Sequence, residues 1–341
     1  MNVPIPQLWG SVETLVAQAP SIAALRHHGL DVLAARQHRT EGREVDPRLR
    51  DAERVATLRY VSVPRLLGLI RSAVDVPLIL MKGPEVAGSY PHPECRPFGD
   101  LDILTPDADA TFLALRRAGF SEIGICDADH HAPPLVWPGV PLKIELHNTP
   151  KSIDGLPAPP TGELLELTRP SRTGAAGIAG FRPAAHAVLL AVHAWAHGPL
   201  ERIGQLVDVA AVLTECDHAD ADEIARRWGY ERLWLTTVAA IDGLFGRAAP
   251  PVSTRTWARH LLSSREPRVV ERSVARLVAP AWALPPRSIP AGVRAEVLRI
   301  VQPGAWETRE DQLERSRLAL RHPFKSVSEF RTASPTREAI T

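Results

Sequence analysis

The stretch that most constrains this chain is residues 77–105, PLILMKGPEVAGSYPHPECRPFGDLDILT, with Asp100-Leu101-Asp102 near its end. An apolar run closes on Met81-Lys82-Gly83. A short helix-like segment and a Pro-punctuated loop then lead to Gly99, after which Asp100, Leu101, Asp102 and Ile103 alternate polar with apolar. A strand has a side-chain period of two, so Asp100 and Asp102 share one face and Leu101 and Ile103 the other. Carboxylates that close raise one another's pKa or require a counter-ion. Hard divalent cations such as Mg²⁺ meet that requirement, being held by one or two carboxylates together with substrate phosphates. The plainer alternative is an edge strand with a solvated acidic face.

A second run, residues 141–148 (PLKIELHN), alternates in the same way. Lys143, Glu145 and His147 fall on one face, Ile144 and Leu146 on the other. A third carboxylate with a cationic neighbour on each side is what two-metal phosphoryl transfer uses; a half-buried strand with a polar outer face is again the plain reading. Composition bears on the choice. Of 40 basic residues only Lys82, Lys143, Lys151 and Lys325 are lysines, and two of these flank the suspected site. A lysine kept amid such an arginine bias suits a role that needs a compact, mobile ammonium.

Together, Met81-Lys82-Gly83, Arg96-Pro97-Phe98-Gly99-Asp100-Leu101-Asp102-Ile103 and Glu145-Leu146-His147 resemble the nucleotidyltransferases of the DNA polymerase β superfamily. The closest resemblance is to a bacterial branch of largely uncharacterised members reading Leu-Lys-Gly, Arg-x-x-Gly-Asp-x-Asp and Glu-Leu-His. It covers roughly residues 60–215 and extends to His193, His197 and Asp208 in AVHAWAHGPLERIGQLVDVAAVL. The resemblance implies that Asp100, Asp102 and Glu145 are catalytic and hold Mg²⁺ (or Mn²⁺). It further implies that Lys82, Gly83, Arg96, Gly99, Lys143 and His147 bind the nucleotide, and that His193, His197 and Asp208 make contacts from a second lobe. Where the superfamily has Gly-Ser or Gly-Gly, this chain has Gly83-Pro84. The phosphate-binding hydroxyl is therefore missing, and backbone amides of Glu85 and Val86 at a helix start, Lys82 or arginine are expected to replace it.

His193 and His197 stand at i, i+4, as in zinc proteases, but Ala194 occupies the place of the glutamate that such chemistry needs. For Asp208 a helix-packing aspartate that orients an arginine or histidine competes with a direct part in binding. The segment Asp127-Ala128-Asp129-His130-His131 offers transition-metal ligands, with a polar rim or a solvated turn as alternatives.

A formal net charge of +1 gives no bulk attraction to long nucleic acid. Cys95, Cys126 and Cys216 are dispersed and contain no CxxC pair, which excludes a disulfide framework and a zinc ribbon. The start of the chain has no leader-like pattern and no apolar run reaches membrane-spanning length, so a cytoplasmic enzyme without a membrane partner is expected.

The fold class expected is α/β (α+β): a polymerase β-like nucleotidyltransferase core with a small mixed sheet, N-terminal helices and a C-terminal helical lobe. The expected division is 1–75 N-terminal helices, 76–180 catalytic core, 181–300 helical lobe, and 301–341 a last helix and mobile tail. Helical periodicity predicts helices over 8–38 with breaks near Pro20 and Gly29, over 47–74 with a kink or break at Pro64, and over 108–118 and 183–197. Residues 120–126 read as a strand, 150–180 as a Pro- and Gly-rich boundary with one short helix, and 279–295 as irregular.

The function expected is Mg²⁺-dependent transfer of a nucleoside monophosphate from an NTP to a hydroxyl or phosphate of a small-molecule, peptide or protein acceptor. Two alternatives stand beside it. One is a tailoring transferase using a sugar nucleotide or phosphorylated group; the other is a non-catalytic Mg-nucleotide-binding module.

Overall fold

Short apolar alternations build one mixed sheet whose order is β3-β4-β5-β2-β1-β7-β6. Its strands are β1 (Leu78–Leu80), β2 (Asp100–Leu104), β3 (Ser121–Glu122), β4 (Leu135–Val136), β5 (Lys143–His147), β6 (Thr168–Pro170) and β7 (Ile178–Phe181). The computed structural model describes residues 5–123, 132–246, 248–303 and 307–333. β2 lies antiparallel to β1 and parallel to β5, in a register that sets Asp100 opposite Lys143 and Asp102 opposite Glu145.

The two faces of the sheet divide as period two requires. Leu78, Leu80, Leu101, Ile103, Ile144 and Leu146 share one apolar cluster with Val63, Leu66, Leu67 and Ile70 of α4 (Pro47–Ala73) and Leu115 of α6 (Ala108–Arg117). Ile79, Met81, Leu104 and Phe181 face the other way, into a larger cluster of helices. That cluster joins α1 (Ile5–Gln18), α2 (Ile22–His28) and α3 (Asp31–Thr40) to α8 (Pro183–His197), α9 (Ile203–Leu213), α10 (His218–Arg227) and α11 (Glu231–Phe245). Asp100, Asp102 and Glu145 are therefore on the side of the sheet that meets these helices.

Local signals account for most helix ends. Asp46 accepts from Arg48 N at 2.8 Å with Pro47 in the first turn, and Asp107 accepts from Ala110 N at 2.9 Å. Ser21 caps α2, and Gly29 closes it at φ +68°. Pro64 does not end α4. An internal proline costs roughly 3 kcal/mol, whereas each of the four buried aliphatic side chains that follow or precede it contributes roughly 1.5–3 kcal/mol.

Several expectations are corrected. The boundary segment 150–180 contains the expected short helix, α7 (Thr161–Glu166), but also β6, and β7 at its end inserts between β1 and β6. Residues 279–295 are mostly helical: α13 (Val269–Ala283) continues through Pro280, and α14 (Ile289–Val301) begins with a proline in its first turn. The described part of the tail is docked. After α15 (Arg309–Arg321), Ser326 bridges to Arg268, and the Glu266 carboxylate accepts from Ser328 N and Oγ at 2.9 and 2.8 Å as α16 (Val327–Ala333) starts. Between α11 and α13 lie α12 (Val252–Thr256) and a 3₁₀ turn (Arg259–Ser263). Of the strand expected over 120–126, β3 covers Ser121–Glu122, while residues 124–126 and the Asp127–His131 motif lie outside the described residues.

β7 joins the sheet through a buried carboxylate. Glu85, in the short helix α5 (Pro84–Ala87), is 0% exposed and accepts from Ser171 Oγ at 2.6 Å and Arg172 N at 3.0 Å, with Arg169 Nη2 at 3.4 Å. A β-carbon on Gly180 would collide with this carboxylate. Gly180→Ala is expected to lower stability by roughly 1–3 kcal/mol, read as a shift in urea midpoint at unchanged slope.

Buried imidazoles make a second prediction. His28 Nε2 donates to Arg265 O while its Nδ1 accepts from Ile203 N, so it is held neutral. His260 Nε2 donates to Glu201 O and His186 Nε2 to Met81 O. Burial lowers His28 to about 3 and His186 and His260 to about 4. The unfolded chain thus binds more protons than the fold below the ordinary histidine value of 6.5. Their stabilising contribution is complete above pH ~6.5 and is lost as pH falls toward ~4. Thermal melts from pH 7.5 to 4 should show a falling Tm across this window.

Candidate active site

Parallel pairing of two alternating strands brings the acidic residues together. β2 and β5 each turn every second side chain to the helical side, and their register makes Asp102 and Glu145 direct neighbours. Arg59 of α4 holds the entrances of both strands, its guanidinium donating to Phe98 O and Pro141 O, each at 3.2 Å. One ligand atom from each of Asp102, Glu145 and His147 lies within 4.8 Å of the other two. These three can hold a metal ion. Asp100 shares their face but is outside this group.

Asp102 is 2% exposed. His147 Nε2 donates to its Oδ1 at 3.2 Å, and the Lys82 ammonium is 3.1 Å from its Oδ2. Burial opposes the charge on Asp102, but Lys82 and the His147 hydrogen bond prevail and hold the carboxyl well below the usual carboxylate range. Asp100 goes the other way: burial, then the charge of Asp102, pushes its pKa up. Oδ2 of Asp102 is buried and accepts no aligned hydrogen bond; the lysine charge is its compensation.

Lys82 also donates to His193 Nε2 at 2.8 Å. Burial, followed by the Lys82 charge, lowers His193 well below its ordinary value, which keeps that nitrogen an acceptor. The His193 and His197 rings are 4.4 Å apart between centres. Met81, Lys82, Asp102, His147, Lys151 and His193 border a small recess whose apolar wall includes Phe181 and Leu189.

Gly83 adopts φ +61°, and a β-carbon there would stand 3.1 Å from Asp100 O. Glycine lets the chain leave β1 and turn tightly across the start of β2. Lys143 is placed opposite Asp100, and its N–H donates to Gly99 O at 3.2 Å.

Arg96 and Asp208 are brought together: the aspartate orients an arginine, one of the two alternatives for it, and the arginine is placed otherwise than the resemblance implies. Arg96 Nε and Nη2 donate to the two carboxylate oxygens of Asp208, both at 2.8 Å, and Nη1 donates to Gly83 O at 3.2 Å. Tyr90 Oη donates to Asp208 Oδ1 at 2.8 Å. All three side-chain nitrogens of Arg96 are thereby occupied, so its guanidinium clamps the Gly83 turn to α9 and is not presented to a phosphate. Of the two amides expected to face an anion at the N-terminus of α5, that of Glu85 donates to Lys82 O at 3.3 Å.

Residues that the sequence did not single out are Arg59, Glu85 and Lys151. Lys151 had a signal in the scarcity of lysine. Arg59 and Glu85 had none, because their partners are remote backbone and side-chain groups.

A family model described as "Uncharacterised nucleotidyltransferase" matches residues 17–246, which include every strand of the sheet and the helices α8 and α9. No curated protein and no solved structure gives a significant match. With its mixed sheet, its acidic strand pair and more than half its length inside that match, the chain belongs to the uncharacterised nucleotidyltransferase family.

Proposed function

We propose that this protein transfers a nucleoside monophosphate from an NTP to a hydroxyl or phosphate of a small-molecule, peptide or protein acceptor, releasing pyrophosphate. The observation that carries the reading is the register of β2 on β5, which sets Asp102 beside Glu145 with His147 and Lys82 against them. The donor set fits a divalent ion, since a buried, ionised Asp102 has one oxygen without a hydrogen bond and an exchangeable lysine charge beside it. Asp102 and Glu145 would hold Mg²⁺ or Mn²⁺, with Asp100 as the further carboxylate and His147 beside them as a hydrogen-bond donor. Such an ion supplies charge neutralisation for the triphosphate and a template for in-line attack.

The protein's own groups do the rest. Glu145, with a side chain about a quarter exposed (24%), receives the acceptor's hydroxyl proton. His147 fixes the orientation of the Asp102 carboxylate through its Nε2–H. Lys82, with Asp102 on one side and the neutral His193 on the other, would supply its charge to the phosphates of the donor. Gly83 and Gly99 keep the backbone low where the nucleotide approaches, and Lys143 stands at the edge of the acidic pair. Among the described residues no helix is long and apolar enough to cross a membrane. Free Cys95 and Cys216 accord with a cytoplasmic setting, and the +1 net charge favours a small or protein acceptor over long nucleic acid.

Pyrophosphate release from each NTP, measured with candidate acceptors, tests the reaction; release of a nucleoside diphosphate would indicate a sugar-nucleotide donor in its place. EDTA should abolish release and Mg²⁺ or Mn²⁺ restore it. Asp102→Asn and Glu145→Gln should each lower turnover by at least roughly 100-fold while Tm changes by only a few degrees; near-normal turnover in either rules out the assignment. Asp208→Ala should behave differently. It strands the buried Arg96 guanidinium and is expected to cost roughly 3–5 kcal/mol of stability, measured by denaturant unfolding, before any kinetic effect is considered.

A further inference from the structure

The polar surface that begins at Asp102 does not end at Lys82. On the far side of that ammonium, His193 opens a cleft of about 710 Å³, mouth included, between α8, α9 and α13. His197, Glu201, Arg202, Gln205 and Arg272 line it. The connection from α8 to α9 is built under constraint. Leu200 takes φ +47°, a left-handed conformation that a leucine adopts only where the surroundings impose it. Next to it, a side chain on Gly198 would collide with the Glu201 carboxylate. Glu201 is buried and pairs with Arg272 Nε at 3.3 Å, which fixes that arginine against the cleft wall. Arg202, the next residue, stands exposed at the rim.

Charge in this region is positive on balance. Arg202 and Arg272 outnumber Glu201 in the cleft, and Lys82 and Lys151 line the adjoining recess opposite Asp102. His197 responds to that field: burial, then Lys151, Lys82 and Arg202, lower it to about 4. The turn after β1 offers little to an anion by comparison. Pro84 has no N–H, the amide of Glu85 is bonded to Lys82 O, which leaves that of Val86, and Arg96 is spent on Asp208.

We propose that the α8–α9 cleft binds the terminal phosphates of the donor, with Arg202, Gln205 and Arg272 as their ligands and Lys82 linking them to the reacting phosphate. The contacts run in a line from the reacting centre into the cleft: Asp102 to Lys82 at 3.1 Å, Lys82 to His193 at 2.8 Å, and His193 to His197 at 4.4 Å between rings. The identity of the ligand as an NTP rests on the nucleotidyl-transfer reading, while the chemistry recognised is that of a polyphosphate anion.

Inorganic tripolyphosphate titrated calorimetrically into the whole chain in EDTA separates the cleft from the metal-binding carboxylates. Saturable binding is expected, weakened at least about tenfold by Arg202→Glu and by Arg272→Gln. Arg272→Gln deprives buried Glu201 of its partner and can unfold the chain, so Arg202→Glu, at an exposed position and with an unchanged Tm as control, decides the matter. Absence of tripolyphosphate binding, or equal binding by Arg202→Glu and wild type, overturns the proposal. Pyrophosphate release from an NTP with a KM unchanged in Arg202→Glu would likewise remove the cleft and leave nucleotidyl transfer standing. Tripolyphosphate binding lost in Arg202→Glu, in a chain that turns over no NTP, would keep the cleft and remove the reaction.

Discussion

An aspartate buried to the extent of Asp102 keeps its charge only when cationic or donor groups face it from within the fold. Lys82 and His147 do so here, and the geometry of the site follows from their compensation. Lys82 arrives from the end of β1, His147 from β5, and Glu145 from the same strand as His147; none is placed unless β1, β2 and β5 pair in their observed register. The divergence of the two aspartates has the same origin. Asp102, with a lysine at one oxygen and a histidine at the other, stays ionised, whereas Asp100 feels burial and its neighbour's charge, and its pKa rises.

Arginine and lysine divide the remaining work in a way their shapes explain. Arg96 uses its planar fork to grip both oxygens of Asp208 and has a third nitrogen left for the Gly83 carbonyl. Arg59 spans two carbonyls at the entrances to β2 and β5. These are fastenings, in which several donors are set at fixed angles. Lys82, by contrast, presents a single mobile charge between Asp102 and His193. Lys151 borders the same recess and Lys143 lies on β5, so three of the four lysines gather around the acidic strand pair. Arginine builds the frame, and lysine stands beside the acidic strands.

The helical side of the molecule participates in the site through specific bonds as well as through bulk packing. His186 of α8 donates to Met81 O, one residue before Lys82, and Asp208 of α9 receives Arg96. Both helices therefore act on the Lys82-Gly83 turn. The strained connection between them forms the wall of the cleft that lies beyond His193. The acidic strands and the helices α8 and α9 meet at this turn, where a glycine with positive φ sits at the centre.

Features decided by neighbours along the chain were readable in the sequence. Alternation in Asp100–Leu104 and Lys143–His147 determined which residues share a face, and Asp46, Asp107 and Gly29 determined helix ends, since these depend on backbone geometry within a turn or a pleat. Helix α8 spans the residues its periodicity predicts. β7 was not readable, because four residues including a glycine carry too little pattern, and the reason for that glycine, Glu85, is 95 positions earlier. Proline punctuation misled at α13 and α14, where one proline is carried inside a packed helix and another begins one. The charges of Arg96 and Asp208 were evident, but their partnership spans 112 positions. By itself the sequence determined the types of side chain available and the faces they share. Tertiary structure decided which of them compensate one another, because burial makes an unpaired charge too costly and only the packing of distant segments selects its partner.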